Sequence, residues 1–202
     1  MAPMTPTRFK LPALLAAGIL ALQPVASLAC AVPEASAVSA ADTDRIGGFL
    51  SSRSKGLAEA LLSTSADDRA VVSGLFAGGD ATMKALPDGN YRCRTIKLGG
   101  LLPLTVYGYF NCTVSADGTR IDKTTGSQRF SGSLEPGGDA LFYRGALHYG
   151  DEQPIDYDAD AERNQVGCLY SVAGDGPRRY RLELPSPLFE STHDVIELVP
   201  VK

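Results

Sequence analysis

Residues 128–148 read QRFSGSLEPGGDALFYRGALH, and this stretch decides the fold. Phe130, Gly132 and Leu134 alternate with Arg129, Ser131 and Ser133. A period of two belongs to a strand with one face in and one face out. Glu135-Pro136-Gly137-Gly138 breaks the run with tight-turn chemistry, and a second β-rich run occupies 140–148. Two such runs joined by a short turn are antiparallel neighbours. The same texture extends outward from this hairpin. Eight runs are expected, at 90–97, 105–114, 119–124, 128–134, 140–148, 164–172, 178–184 and 193–199. Asp117-Gly118 and Gly174-Asp175-Gly176-Pro177 supply further tight turns. Tyr180, Leu182 and Leu184 alternate with Arg179, Arg181 and Glu183. The expectation is an antiparallel β domain over 88–200, an eight-stranded meander closed into a small barrel. Closure removes exposed edges. A two-sheet sandwich is the alternative.

Upstream of Gly89 the pattern is helical, so the chain is mainly β with a short N-terminal helical part, 42–79. Ile46, Leu50, Leu57 and Leu61 mark one face of a first helix over 42–62. Gly47, Gly48 and Gly56 weaken it, at about 1 kcal/mol for an interior glycine. Ser65 caps a second helix with Asp68 three residues on, and Gly78-Gly79 stops it. Residues 30–41 (CAVPEASAVSAA) read as a flexible tether.

Residues 1–29 have the form of a signal peptide. Arg8 and Lys10 precede the apolar stretch Leu11 to Leu22, and small residues follow at Ala26, Ser27 and Ala29. Twelve apolar residues are too few to span a bilayer. Cys30 stands directly after Ala29, so two outcomes stay open. One is lipid attachment at Cys30, giving a lipoprotein facing the periplasm. The other is plain cleavage after Ala29, Ala31 or Ala37, leaving a free periplasmic protein. The whole chain has 19 basic and 23 acidic residues. Without Arg8 and Lys10 the balance is 17 to 23, or −6. That charge argues against nucleic acid as a partner and against attraction to anionic surfaces.

Export places the four cysteines in an oxidising compartment. Cys93 and Cys112 lie in adjacent expected strands and form the best disulfide pair. Cys168 is then left over, as a small buried apolar residue. No two cysteines have zinc-ligand spacing, and the chain has only 2 histidines, so no metal and no cofactor is expected.

Four segments, in order, resemble the bacterial exported family called domain of unknown function 4893. They are Tyr91-Arg92-Cys93-Arg94-Thr95-Ile96-Lys97-Leu98-Gly99, then Lys123-Thr124-Thr125-Gly126-Ser127-Gln128-Arg129, then Asp151-Glu152 with Asp160-Ala161-Glu162-Arg163, and Glu190-Ser191-Thr192-His193-Asp194-Val195-Ile196-Glu197-Leu198. The resemblance covers roughly 42–200 and implies export and a shared fold. It carries no activity and no catalytic residue.

Function is read from three groups of residues. The first is basic: Arg92, Arg94 and Lys97, with Gln128 and Arg129. Arg92 and Arg94 share a face, and on a barrel mouth their guanidiniums would grip a small anionic ligand. The second is the acidic loop 151–162, where Asp156, Asp158 and Asp160 alternate. Its oxygens suit calcium, but Ala161 and Gly167 stand where the calcium-loop register needs glycine and glutamate. The third is Ser191, His193 and Asp194, with Ser186 nearby and His148 elsewhere, a hydrolase grouping without a nucleophile elbow. The leading expectation is a non-enzymatic module that binds an unknown envelope protein or a small anion. A periplasmic hydrolase is the less favoured reading.

Overall fold

A computed structural model describes residues 1, 30–174 and 176–201. The expected signal segment lies outside the described residues. Eight strands close into an antiparallel barrel: β2 (Gly89–Leu98), β4 (Phe110–Ser115), β5 (Arg120–Lys123), β6 (Gln128–Gly137), β7 (Ala140–Tyr149), β8 (Asn164–Val172), β9 (Tyr180–Pro185) and β10 (His193–Pro200). β2 pairs with β10 and β4, and β9 closes the circle by pairing with both β8 and β10. Two short strands are added to it. β1 (Asp80–Ala81) pairs with β8, and β3 (Leu104–Val106) pairs with β2. The single run expected at 105–114 is therefore split, because Tyr107-Gly108-Tyr109 leaves the ladder between β3 and β4.

The two-residue period sends one set of side chains into the barrel. Tyr91, Cys93, Cys112, Val114, Ile121, Phe130, Leu134, Leu141, Tyr143, Leu169, Tyr180, Leu182, Leu184, Ile196 and Leu198 form its core. One end is sealed by the crossing segment 82–88, whose Met83 and Leu86 join that core. Gly145 is needed inside the wall: a Cβ there would sit 2.3 Å from the Tyr143 hydroxyl and 2.2 Å from the Ser131 carbonyl. The Cys93–Cys112 disulfide ties β2 to β4.

The helices cover the outside of one half of the wall. Three form where two were expected: α1 (Ala40–Gly47), α2 (Phe49–Ala60) and α3 (Ala66–Phe76). The first expected helix breaks at Gly48, whose N–H returns to the Asp44 and Ile46 carbonyls as a cap. Ser65 caps α3 by accepting from the Asp68 N–H, at 3.2 Å. Ile46 and Phe49 pack on Ala140, Phe142, Val166 and Tyr170, while Ala60, Val72 and Leu75 pack on Ile96, Leu98 and Val195. Strands β2, β7, β8, β9 and β10 are thus buried on both faces.

Two expectations are corrected here. Residues 30–41 are not a free tether. Cys30 bridges to Gly138, the Ala31 N–H donates to the Gly137 carbonyl at 3.1 Å, and Ser36 donates to Glu135 at 2.5 Å. Cys168 is not left over either, because it is bonded to Cys30. Two disulfides fit an oxidising, exported environment. No helix among the described residues is long and apolar enough to cross a membrane.

Candidate functional site at the open barrel mouth

The end opposite Met83 and Leu86 is open, and a cavity of about 410 Å³ occupies it. Its lower wall is apolar: Phe130, Leu147, Leu184 and Ile196. Above them stand Thr95, Lys97, Lys123, Gln128, Gln165 and Asp194, all on inward-pointing positions of their strands. The connection after β9 (Pro185, Pro187, Leu188, Phe189, Glu190) and Leu101 form the rim.

The two lysines differ in what surrounds them. Lys97 Nζ lies 3.3 Å from both Asp194 Oδ2 and Glu190 Oε2. Burial works against its charge, but Asp194 and Glu190 outweigh burial and raise its pKa. Burial raises the Asp194 carboxyl, with Lys97 and the Ser191 hydroxyl pulling the other way. Lys123 has no such compensation. Its Nζ donates to the Gln128 carbonyl at 2.5 Å and lies 4.3 Å from the centre of the Phe110 ring. Among the described residues it makes no ion pair. Burial, with Arg129 and Lys97 adding repulsion, pushes its pKa down to about 8. A cation removed from water without a counter-charge is under-stabilised, and an anion entering the mouth would supply what it lacks.

The sequence-derived residues are distributed differently from the expectation. Lys97 and Gln128 line the cavity. Arg92 and Arg94 take the opposite, outward parity of β2: Arg94 Nε donates to Glu197 at 2.6 Å, and both guanidiniums stack on Tyr109, at 4.3 and 4.6 Å. Arg129 also points outward, donating to the Gly126 carbonyl and reaching Asp151 at 3.4 Å. Lys123, in the second quoted segment, was not singled out. Its signal was the strand period, which puts it on the same inner face as Ile121.

Ser191 and His193 do not meet. Ser191 Oγ donates to Asp194 Oδ1 at 2.6 Å, at the mouth. His193 faces the other way, beneath α2, with Nδ1 2.9 Å from Ser52 Oγ and Nε2 2.9 Å from Glu183 Oε2. This Ser-His-Glu row resembles a catalytic triad in contacts only. Ser52 Oγ accepts the Ser186 N–H and lies 2.8 Å from the Thr192 carbonyl. The His193 ring packs edge-on to Phe49, and neither His193 nor Ser52 lines the barrel-mouth cavity. A nucleophile needs a substrate beside it, and here His193 is wholly buried and Ser52 nearly so. Glu183 is engaged by Arg53 at 2.7 and 2.8 Å and by Arg181 at 2.6 Å. Asp80 joins both arginines, so the row is the core of an ionic network that fixes α2 on the wall. In the acidic loop, Glu152 and Asp160 pair with Arg163, and Tyr157 bonds to Asp42 and Ser39 of the α1 cap. Among the described residues no group of three or more His, Cys, Asp or Glu is placed to hold a metal ion.

The family described as Domain of unknown function (DUF4893) matches residues 35–198. The chain belongs to this family. Comparison with curated proteins and with solved structures gives no match. The DUF4893 match spans all three helices and the barrel up to Leu198 of β10, so the mouth and its lysines lie within it.

Proposed function

We propose that this protein is a non-enzymatic binding module of the periplasm whose barrel mouth takes a small anion with an apolar body, such as a carboxylate. One observation carries the reading: Lys123 is buried in an open cavity with no carboxylate beside it. Phe130, Leu147, Leu184 and Ile196 suit the apolar part of the ligand, and Thr95 and Gln165 offer hydrogen bonds. Anion binding restores the charged form of Lys123, so affinity falls as pH rises above about 8. Calorimetry with octanoate and octanol tests this. Octanoate is expected to bind more tightly, and Lys123→Met to weaken it by roughly tenfold or more, about 1.4 kcal/mol. Equal binding of both ligands, or an unaffected variant, overturns the reading.

A second reading, docking of an envelope protein, is favoured by the exposed rim. Leu101, Leu102, Leu188 and Phe189 are each at least half exposed, which is unusual for a cluster of large apolar side chains. Replacing Leu102, which is exposed but does not line the cavity, by serine is expected to weaken co-purification of such a partner while leaving octanoate binding intact.

A further inference from the structure

Two of the cavity's carboxylates hold one lysine, and none pairs with the other among the described residues. Asp194 of β10 and Glu190 of the rim both lie on Lys97 of β2. Lys123, projecting from β5 into the same cavity, meets a carbonyl oxygen and an aromatic ring, and the positive charges of Lys97 and of the outward-pointing Arg129 of β6 add repulsion. Phe130, Leu147, Leu184 and Ile196 give the same cavity an apolar wall. We infer that Lys123 is a carbonyl-capturing amine, which holds an aldehyde or ketone with an apolar body as an imine on Nζ. This rests on reading the mouth as a ligand cavity and names a chemical class that cavity would take.

The step balances without any co-reactant. The lone pair of the neutral amine forms the C–N bond to the carbonyl carbon. The two amine hydrogens leave with the carbonyl oxygen as water, and a C=N bond remains. Nothing is oxidised or reduced. The neutral amine is the nucleophile, and an ordinary lysine at pH 7 is almost entirely charged. With a pKa of about 8, the neutral fraction of Lys123 is roughly 300-fold larger than at the usual 10.5. Phe130, Leu147, Leu184 and Ile196 offer the apolar body of the carbonyl compound a surface to pack on, which favours the bound imine over release. The solvent-facing Lys55 has no such setting: it is on the outside of α2, paired loosely with Glu59 at 3.8 Å.

Reductive trapping tests the inference. The mature protein is treated with hexanal and cyanoborohydride at pH 7, and the adducts are located by peptide mass mapping. The expected result is one hexyl group on Lys123, formed roughly tenfold or more faster than on Lys55 or Lys84, with a rate that rises with pH and levels off above about 8. Lys123→Arg keeps the charge, removes the nucleophile, and is expected to melt near the parent temperature with no selective adduct. Octanoate in excess should suppress the labelling. Equal labelling of Lys55 and Lys84, or no adduct at Lys123, overturns the imine even if octanoate binds. Selective labelling that octanoate neither blocks nor slows keeps the imine and removes the anion reading instead.

Discussion

Glu183 is wholly buried, yet burial does not neutralise it. Desolvation would raise its pKa, but the His193 hydrogen bond and the Arg181 and Arg53 charges outweigh that and hold it at about 2. Its folded-state value lies below the ordinary 4.5, so its stabilising contribution is complete above about 4.5 and is lost as pH falls toward 2. The difference amounts to on the order of 3 kcal/mol. Urea unfolding at pH 6 and pH 3 is expected to show about 2 kcal/mol of this loss, and Glu183→Gln to flatten the acid limb. Removing one partner of a buried pair leaves the other uncompensated, so Glu183→Ala at pH 7 should cost about 3–5 kcal/mol. An acid limb unchanged in Glu183→Gln would contradict this account. Strand alternation made Arg181 and Glu183 legible as an outward face, but not as a buried one. Nothing in a strand's own pattern says that a helix lies on it. The same limit explains the binding residues. The basic cluster around Arg92 and Arg129 is visible in sequence, whereas the isolation of Lys123 exists only once β5 and β6 are placed side by side. Charge density in a sequence marks residues that pair as readily as residues that bind, and here Arg94 and Arg129 are paired.

Helix α2 approaches the barrel so closely that Gly56 has no room for a side chain. A Cβ there would stand 2.9 Å from His193 Cβ and 3.1 Å from Leu98 Cβ. Gly74 of α3 is different: the nearest atom to an added Cβ is Arg179 Nη1, at 3.9 Å. Both glycines lie in helices, so propensity alone predicts that alanine stabilises each by up to about 1 kcal/mol. Packing reverses the sign at one of them. Gly56→Ala is expected to lower stability by about 1–3 kcal/mol, and Gly74→Ala to leave it unchanged or raise it slightly. Thermal melts of the two variants decide the matter, and a stabilised Gly56→Ala would mean that α2 does not sit this close. Two of the glycines that weaken the helix expected over 42–62 thus have separate physical reasons. Gly48 caps α1, and Gly56 permits the contact on β10. The β elements were more legible, because Asp117-Gly118 punctuates runs whose alternation is local, although β6 continues through the expected turn Glu135-Pro136-Gly137 and reverses only at Gly138-Asp139. The break at Tyr107-Gly108-Tyr109 was not, since two tyrosines look like strand residues, and it is Tyr109 that is held outside by stacking on Arg92 and Arg94.

At the scale of the whole molecule, the Cys30–Cys168 bond closes a loop of 138 residues, against 19 for Cys93–Cys112. In the chain-entropy description the longer loop contributes about 5 kcal/mol and the shorter about 3. Cysteine spacing pointed to the shorter pair, because its strands are neighbours in sequence. The longer pair requires the N-terminal segment to run back along β6 and β8, which no local signal reports. The bond also bears on processing. A sulfur in a disulfide cannot carry a thioether, so this bond and lipid attachment at Cys30 exclude each other. Cleavage after Ala31 or Ala37 would discard Cys30 and leave Cys168 without a partner in the chain. The expected product is therefore a protein that retains Cys30, carries no diacylglyceryl group and has no free thiol. Intact mass of the protein extracted from its native envelope, before and after reduction, reads all three properties at once. Cys30→Ser and Cys168→Ser remove the same bond, so each single variant and the double should melt at one common temperature, lowered by roughly 10 °C. A lipid-sized mass increment with a free Cys168 would replace this arrangement with an anchored one. Unequal melting of the two single variants would show that one of the sulfurs has a role outside the bond.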